Sequence, residues 1–393
     1  MTAAGPIGIT WQPTSVHGWG VFGINLAHQM ALGGRHLPVF VGKIDVGLID
    51  LDAEQKSVLD LVLQFSIDFR RKLDVIGADV AINFPILVSL GENFVAEPYP
   101  PSRVAEHGIL FLTDTEISAD AAERARRFRT VVAGASWTED VLKGCGIDNV
   151  KVVIQGVDTR IFKPRSRRRS DDARFKVFSG GKLEYRKGQD IVVAAWREFH
   201  RRHPDSQLVI AWDHPYPDIA KTVAIAGHVT PAPDPWGPDR SPLANWLNEN
   251  GLPSGSFRNL GVVANRAMPD ILRDIDAAVF VSRAEGGTNL VAMESMACGV
   301  PTVLSANTGH LDLIAGENCY PLRHQRAILP GTAGYAGTAG WGESNVEELI
   351  EALESIYSDR AEARRRGTAG AATIANISWA KQVPLLLDAI GAR

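Results

Sequence analysis

The sequence predicts an α/β protein built from two doubly wound, Rossmann-like domains, and three observations carry that expectation. Short β-like runs alternate with amphipathic helical stretches along the chain, which is the pattern of parallel sheets. The series runs twice, with a break in composition between the two rounds. A length of 393 residues is too great for one ordinary core and suits two domains of about 150 to 200 residues each.

In the first round Ile7 to Thr10 reads as a strand, a loop holding Gly18, Trp19 and Gly20 follows, and Val21 to Leu32 reads as a helix. Gly33 and Gly34 stop that helix, because glycine adopts the left-handed turn that ends one, and Leu37 to Val41 reads as the next strand. Further strands are expected at Val80 to Asn83, Ile109 to Leu112, Val131 to Ala133 and Val152 to Gln155. Lys163-Pro164 then opens RSRRRSDDAR (165–174), read as a solvated linker, with a patch for an anionic membrane or phosphate as the other reading. The second round starts at Phe175 to Phe178 and continues with Leu208 to Trp212, Ala277 to Val281 and Pro301 to Leu304. PAPDPWGPDRSP (231–242) reads as a long loop and PGTAGYAGTAG (330–340) as a mobile surface loop. Val346 to Tyr357 reads as a strongly amphipathic helix. No fixed-period repeat occurs, which excludes a solenoid.

Composition narrows the function classes. Apolar residues make up 45% and charged residues 22%, a globular balance, and the formal charge of −4 gives no reason to expect nucleic acid as a partner. Cys145, Cys298 and Cys319 are odd in number and lack a CxxC pair, so neither a disulfide framework nor a zinc site is expected. No apolar run approaches the roughly 20 residues of a membrane span, and the start MTAAGPIGIT lacks the layout of a signal peptide. A cytoplasmic location is expected, with a peripheral membrane contact left open.

The segment most informative about chemistry is EGGTNLVAMESMACGVPTVLSANTGH (285–310). A strand ending near Ser282 feeds a loop of Gly286, Gly287, Thr288 and Asn289, and a helix opens at Leu290. Free backbone N–H groups at such a start hold a phosphate. Glu294 on the first turns can accept two hydrogen bonds from a vicinal diol such as a ribose, and Glu285 can reach sugar hydroxyls. On spacing alone an ordinary βα unit with two surface carboxylates fits equally well. In FSGGKLEYRKGQD (178–190), Gly180 and Gly181 follow a strand, and Lys182 and Lys187, five apart, can both reach one diphosphate. Taken alone, lysines at loop tips are usually just solvated. In HGWG (17–20), Gly18 and Gly20 allow backbone to approach a donor phosphate or an acceptor, and a tight turn fits as well.

These segments resemble the retaining glycosyltransferase family 4, also called glycosyltransferase group 1. EGGTNLVAMESMACGVPTV resembles its signature EGFGLPLLEAMACGVPVV, in which seven residues separate the two carboxylates. Here eight separate Glu285 from Glu294, and Gly286 takes the register of the first carboxylate. KLEYRKG resembles RLVPEKG, whose Arg and Lys bind the donor diphosphate, with Lys182 standing where Arg is usual. VVIQGVDTRIFKP (152–164) and GVVANRAMPDILRDIDAAVFVSRAEG (261–286) resemble two further stretches, and all four fall in family order.

The resemblance implies the GT-B fold, two Rossmann-like domains facing across a cleft, with residues 1–168 and 169–376 as the domains. Ser378-Trp379 resembles the start of the family's last helix, so 377–393 is expected to return to the first domain. It also implies transfer of a hexosyl group from a UDP- or GDP-linked sugar to an acceptor hydroxyl, with retention. The acceptor would be a glycan, a lipid-linked glycan or a small molecule. Lys182, Lys187 and the amides near Gly287 and Thr288 would stabilise the departing diphosphate, Glu294 would hold the ribose and Glu285 would orient the sugar. No cofactor is expected besides the nucleotide sugar as co-substrate. Asp50-Leu51-Asp52 and Asp274-Ile275-Asp276 have metal-site spacing but lack a phosphate-binding context, so metal independence is expected. His107 lies roughly where the family carries a histidine near the sugar. Two other readings stand beside the transferase: a nucleotide-sugar epimerase, which needs no acceptor, and a non-catalytic nucleotide-sugar binder. An NAD-dependent oxidoreductase is disfavoured, since no GxGxxG follows the first strand.

Overall fold

The computed structural model describes residues 5–77, 80–165, 173–213, 216–232 and 242–392. The centres of the basic linker and of the Pro-rich stretch (166–172 and 233–241) lie outside the described residues. The chain forms two compact units. One comprises Met1–Asp158, Ala264–Arg266 and Ile377–Arg393, the other Thr159–Val263 and Ala267–Asn376.

The first unit is built on a parallel sheet of β1 (Pro6–Ile9), β2 (Leu37–Phe40), β3 (Ile86–Leu90), β4 (Glu106–Leu110), β5 (Thr130–Ala133) and β6 (Val150–Val152), in the order β2-β1-β3-β4-β5-β6. Helix α1 (Gly18–Gly33) ends at Gly34, whose φ of 65° is the left-handed conformation expected of a stop glycine. Helix α2 (Ala53–Ile76) starts at a capping box: the Asp52 carboxylate accepts from the Gln55 N–H at 2.8 Å, and the Gln55 side chain accepts from the Asp52 N–H. Helices α3 (Ala119–Arg127) and α4 (Ser136–Gly144) follow. The C-terminal helix, Trp379–Ala389, packs into this unit, with the Trp379 ring stacked 5.1 Å from Phe22. Its entry is paired to residue 157, whose N–H donates to the Ile377 carbonyl and whose carbonyl accepts from the Trp379 N–H.

The strand expected at Val80 to Asn83 is not there. Ile82 makes one isolated bridge to Ser102, and the strand lies after Pro85, at Ile86–Leu90. Proline lacks the N–H a ladder needs, so pairing resumes only beyond it. The resulting β3 sits inside the sheet between β1 and β4, which explains why it is apolar at every position but Ser89.

The second unit holds a second parallel sheet of β7 (Phe175–Lys182), β8 (Ser206–Asp213), β9 (Phe257–Asn259), β10 (Ala277–Phe280), β11 (Thr302–Ser305) and β12 (Tyr320–Leu322). Its order is β12-β11-β10-β7-β8-β9. The helices are α5 (Gln189–Arg202), α6 (Pro217–Lys221), α7 (Pro242–Glu249), α8 (Met268–Leu272), α9 (Leu290–Ala297), α10 (Val346–Ser358) and α11 (Arg360–Ile374). The stretch 330–340, expected to be a mobile loop, joins an antiparallel pair, β13 (Gln325–Ala327) and β14 (Gly342–Ser344), and is anchored. Thr338 is buried and its hydroxyl donates to the Ile328 carbonyl at 2.7 Å, while the Tyr335 and Trp341 rings lie 4.6 Å apart. In this sheet the strand order reverses between β7 and β10, so the loops leaving those two strands flank the switch point where open α/β sheets bind ligands.

Candidate active site

The two loops at the switch point are locked together before any ligand is considered. From β7 the chain passes Gly181 (φ 133°) into a short turn, Tyr185–Lys187, and Gly188 (φ 71°) then opens α5. A Cβ on Gly188 would stand 2.2 Å from the Val281 carbonyl oxygen, so only glycine lets this turn lie on the chain leaving β10. The Arg283 N–H donates to the Arg186 carbonyl at 2.7 Å, and Arg283 Nη1 donates to the Tyr185 carbonyl at 2.6 Å.

Arg283 is fully buried and anchors both loops. Its guanidinium makes a two-pronged pair with Asp190 (2.8 and 2.6 Å), reaches Glu343 Oε2 at 2.9 and 2.8 Å, and lies 4.1 Å over the Tyr185 ring. Burial would drive the Glu343 carboxyl up, but His228 Nε2 at 3.5 Å and the Arg283 charge hold it near 2.

Above this anchor sits Glu285, 4% exposed. Among the described residues its carboxylate accepts five hydrogen bonds. Oε1 receives Lys187 Nζ at 2.7 Å, Ser282 Oγ at 2.6 Å and Asn289 Nδ2 at 2.9 Å. Oε2 receives Lys187 Nζ at 2.8 Å and Arg186 Nη1 at 3.2 Å. Burial pushes the carboxyl up, and the charges of Lys187 and Arg186 outweigh that and hold it near 2. Lys187 is pulled below the usual lysine range by burial, against the supporting charge of Glu285. Arg186 also binds Glu184 at 2.6 Å and the Ala284 carbonyl at 2.9 Å. His310 is buried, its Nδ1 lies 3.2 Å from the Ser305 carbonyl, and burial holds the ring near 4, so it is neutral.

The predicted donor loop comes next. Gly286, Gly287, Thr288 and Asn289 are all buried, and Leu290 is half-buried at the start of α9. Asn289 carries a φ of 62°, unusual for a non-glycine residue. Its amide works at both ends: Oδ1 accepts from the Ala292 N–H at 3.3 Å, capping α9, while Nδ2 holds Glu285. The segment after β11 presses on this loop. Thr308, at a φ of 40°, accepts the Glu285 N–H on Oγ1 at 2.8 Å, and the Gly309 N–H donates to the Glu285 carbonyl at 3.0 Å. Backbone strain of about 1–3 kcal/mol at Asn289 and at Thr308 is the kind stored at ligand sites. Glu294 is 3% exposed on α9, and the Cys298 thiol behind it is pushed up to about 12 by burial and by the Glu294 charge.

Of the residues singled out in sequence, Lys187, Glu285, Gly286, Gly287, Thr288, Asn289, Leu290 and Glu294 thus lie on the two coupled loops and the helix they open. Lys182 is exposed at the end of β7, opposite Asp213, and its carbonyl accepts from Gln189 Nε2 at 2.6 Å. Gly18 and Gly20 belong to the other unit. Gly18 is the open first residue of α1, whereas a Cβ on Gly20 would stand 2.2 Å from Thr14 Oγ1, so Gly20 serves close packing. His107 is buried in β4 and held near 4 by burial and by Arg129. Sequence reasoning missed Arg186, Ser282, Arg283, Thr308 and His310. A signal existed for Arg283, a charge directly after the apolar run AAVFVS, and for Arg186, the neighbour of a predicted site lysine.

Among the described residues, neither Asp-x-Asp pair stands in a group of three or more His, Cys, Asp or Glu that could hold a metal. Asp52 caps α2, Asp274 pairs with Lys176 at 2.5 Å, and Asp276 accepts the Lys176 N–H at 2.9 Å and Arg360 Nη1 at 3.1 Å. Among the described residues no three His, Cys, Asp or Glu side chains group as metal ligands would, and no helix is long and apolar enough to cross a membrane.

The chain is 25% identical over 251 residues to D-inositol 3-phosphate glycosyltransferase of Paenarthrobacter aurescens, covering 62% of this chain and 52% of that protein. It spans about half the length of the curated relatives it matches. Among solved structures, sucrose-phosphate synthase from Thermosynechococcus elongatus superposes with a TM-score of 0.65 at 15% identity, covering 98% of this chain and 97% of that one. Anabaena HepE in complex with UDP-glucose superposes with a TM-score of 0.63 at 15% identity, covering 99% and 100%. Such likeness assigns the fold, the GT-B class with its two Rossmann-like domains. The family described as glycosyl transferases group 1 matches residues 161–373, more than half of the chain and nearly all of the unit that carries the coupled loops, so the chain belongs to the group 1 glycosyl transferases.

Proposed function

We propose that the chain transfers a hexosyl group from a UDP- or GDP-linked sugar to the hydroxyl of a glycan, lipid-linked or small-molecule acceptor, with retention and without a metal. The observation that carries this reading is Lys187 paired with Glu285 where the buried Gly286–Asn289 loop begins, with Glu294 buried on α9, the helix that loop opens. N–H groups at a helix start and a fixed lysine suit a diphosphate, and a buried carboxylate one turn further suits a ribose diol.

In this reading the bond from the sugar's C1 to the diphosphate oxygen breaks while the acceptor oxygen bonds to C1 from the same face. The acceptor's proton passes to the departing diphosphate. Lys187 and the loop amides stabilise the charge that builds on that group, and Lys182 adds charge from the end of β7. The UDP-glucose bound to Anabaena HepE makes the uridine donors the first to try.

Calorimetry with UDP, GDP and their hexose conjugates, with and without magnesium, tests the reading. Binding of one nucleotide series without magnesium is expected. Glu294→Ala should weaken it about 10- to 100-fold, the loss of a charge-assisted pair of hydrogen bonds. Binding that requires magnesium, or that Glu294→Ala leaves unchanged, would refute the assignment. Product analysis with and without acceptor separates transfer from epimerisation and from binding alone.

A further inference from the structure

We infer that Glu285 serves the donor's diphosphate as a positioning residue, by holding Lys187, and makes no contact with the donor sugar. This rests on the functional reading above and assigns Glu285 a role different from the sugar contact that sequence resemblance implies.

The argument starts from capacity. A carboxylate offers about four lone-pair positions. Glu285 already accepts five hydrogen bonds among the described residues, three of them on Oε1. A sugar hydroxyl would have to displace a charged or buried donor, and each displaced group would then need a new partner in a buried site. Register points the same way. With eight residues between the two glutamates, the position that faces a sugar in the resembling signature falls on Gly286. Asn289 takes a positive φ and uses its amide to tie Glu285 to the helix start. Glu285 is therefore drawn inward onto the lysine. Lys187 in turn has both carboxylate oxygens within 2.8 Å, which fixes its ammonium beside the loop.

The charges facing Lys187 are Glu285, Arg186 and Glu184, with the neutral His310 near the same carboxylate. Without Glu285, Lys187 would stand buried beside Arg186 with Glu184 as the remaining carboxylate, and its proton would be released more readily. Nucleotide binding would then take up a proton at Lys187, and affinity would fall as pH rises. An effect exerted through Lys187 vanishes when Lys187 is absent.

The experiment measures the affinity of the sugar-free nucleotide, UDP or GDP as the native chain selects, from about pH 7.5 to 9.5, where the nucleotide phosphates are already ionised. It compares the native chain, Glu285→Gln, Lys187→Met and the double variant. The native chain should vary less than about twofold, and Glu285→Gln should lose about tenfold across the range. Lys187→Met and the double variant should both be flat and agree within about twofold. Preference between UDP-glucose and UDP-galactose, epimers at one hydroxyl, should be the same with Glu285 and with Gln. The inference is overturned if Glu285→Gln binds the sugar-free nucleotide as the native chain does at every pH. A pH effect that persists without Lys187, or an epimer preference that collapses, overturns it equally. A native chain that binds neither nucleotide overturns the functional reading itself, and this inference with it.

Discussion

Arg283→Met removes the cation that pairs Asp190 in a wholly buried setting, and its cost follows from the partners left behind. Arg283 and Asp190 are both 0% exposed, and Glu343 is 6% exposed. Removing one member of a buried pair leaves an uncompensated charge and costs about 3–5 kcal/mol. Glu343 keeps Arg326 and His228 as partners, whereas Asp190 loses a two-pronged pair, so the estimate belongs to Asp190. The Tyr185 carbonyl loses one of its two donors and keeps the Gly188 N–H at 3.2 Å, which adds at most about 1 kcal/mol. For a unit of this size, a loss of about 4 kcal/mol lowers the thermal midpoint by roughly 8–16 °C, which scanning calorimetry reads directly. Arg283→Met combined with Asp190→Leu should recover part of the loss, because no unpaired charge then remains at Asp190. A single variant costing under about 1 kcal/mol, or a double variant no more stable than the single one, would refute the reasoning.

Gly309→Ala should weaken nucleotide binding and cost about 1–3 kcal/mol, since its Cβ would stand 1.8 Å from the Gly287 carbonyl oxygen and force the donor loop to shift; unchanged affinity would separate that loop from the nucleotide. Stability should fall on acidification in two stages. The His310 ring, near 4 in the fold against a usual 6.5, makes folding less favourable as pH drops from 6.5 towards 4, because the unfolded chain binds the extra proton. The Glu285 and Glu343 carboxylates, near 2 against a usual 4.5, lend stability that is present above 4.5 and lost as pH falls towards 2. Urea titrations at fixed pH should show His310→Gln reducing the upper stage and Glu285→Gln the lower one, and equal effects of both variants at every pH would contradict these assignments.

Much of this architecture was legible because local signals agreed. The strands at Ile7, Leu37, Leu208 and Ala277 are apolar runs bounded by turn residues, and each lies where such a run must be buried on both faces of a parallel sheet. The displaced β3 shows the limit of that signal. AINFPILVSL holds two apolar runs; the one after Pro85 carries the sheet pairing, and the first makes a single bridge at Ile82. The β13–β14 pair was invisible for another reason. Its strands are three residues long and polar, and what holds them is the Glu343 contact with Arg283, sixty positions away in the chain. At the site, the loop and helix residues were readable from glycine placement and helix-start chemistry. Their coupling was not: Lys187 and Glu285 are separated by 98 positions, and only the adjacency of β7 and β10 brings them within hydrogen-bond distance.

On the proposed function, that coupling changes how a nucleotide would be held. Arg186 and Lys187 bring two positive charges to the cluster, and Glu184 and Glu285 bring two negative ones, each within salt-bridge distance. The buried cluster is therefore neutral as it stands, which is what makes its burial tolerable. A diphosphate adds negative charge that these side chains cannot match without giving up a carboxylate partner. Beyond Lys187, which keeps its pair with Glu285, the matching field has to come from the backbone N–H groups where the Gly286–Asn289 loop turns into α9 and from Lys182, which among the described residues carries no ion pair. Oriented N–H groups at a helix start act at short range and are weakly screened, whereas an exposed lysine is screened by salt. Nucleotide affinity should then fall only modestly as ionic strength rises, and the part that does fall should disappear in Lys182→Met. A steep salt dependence that survives this substitution would refute this division of the field and would require Glu285 to release Lys187 and Arg186 when the donor arrives.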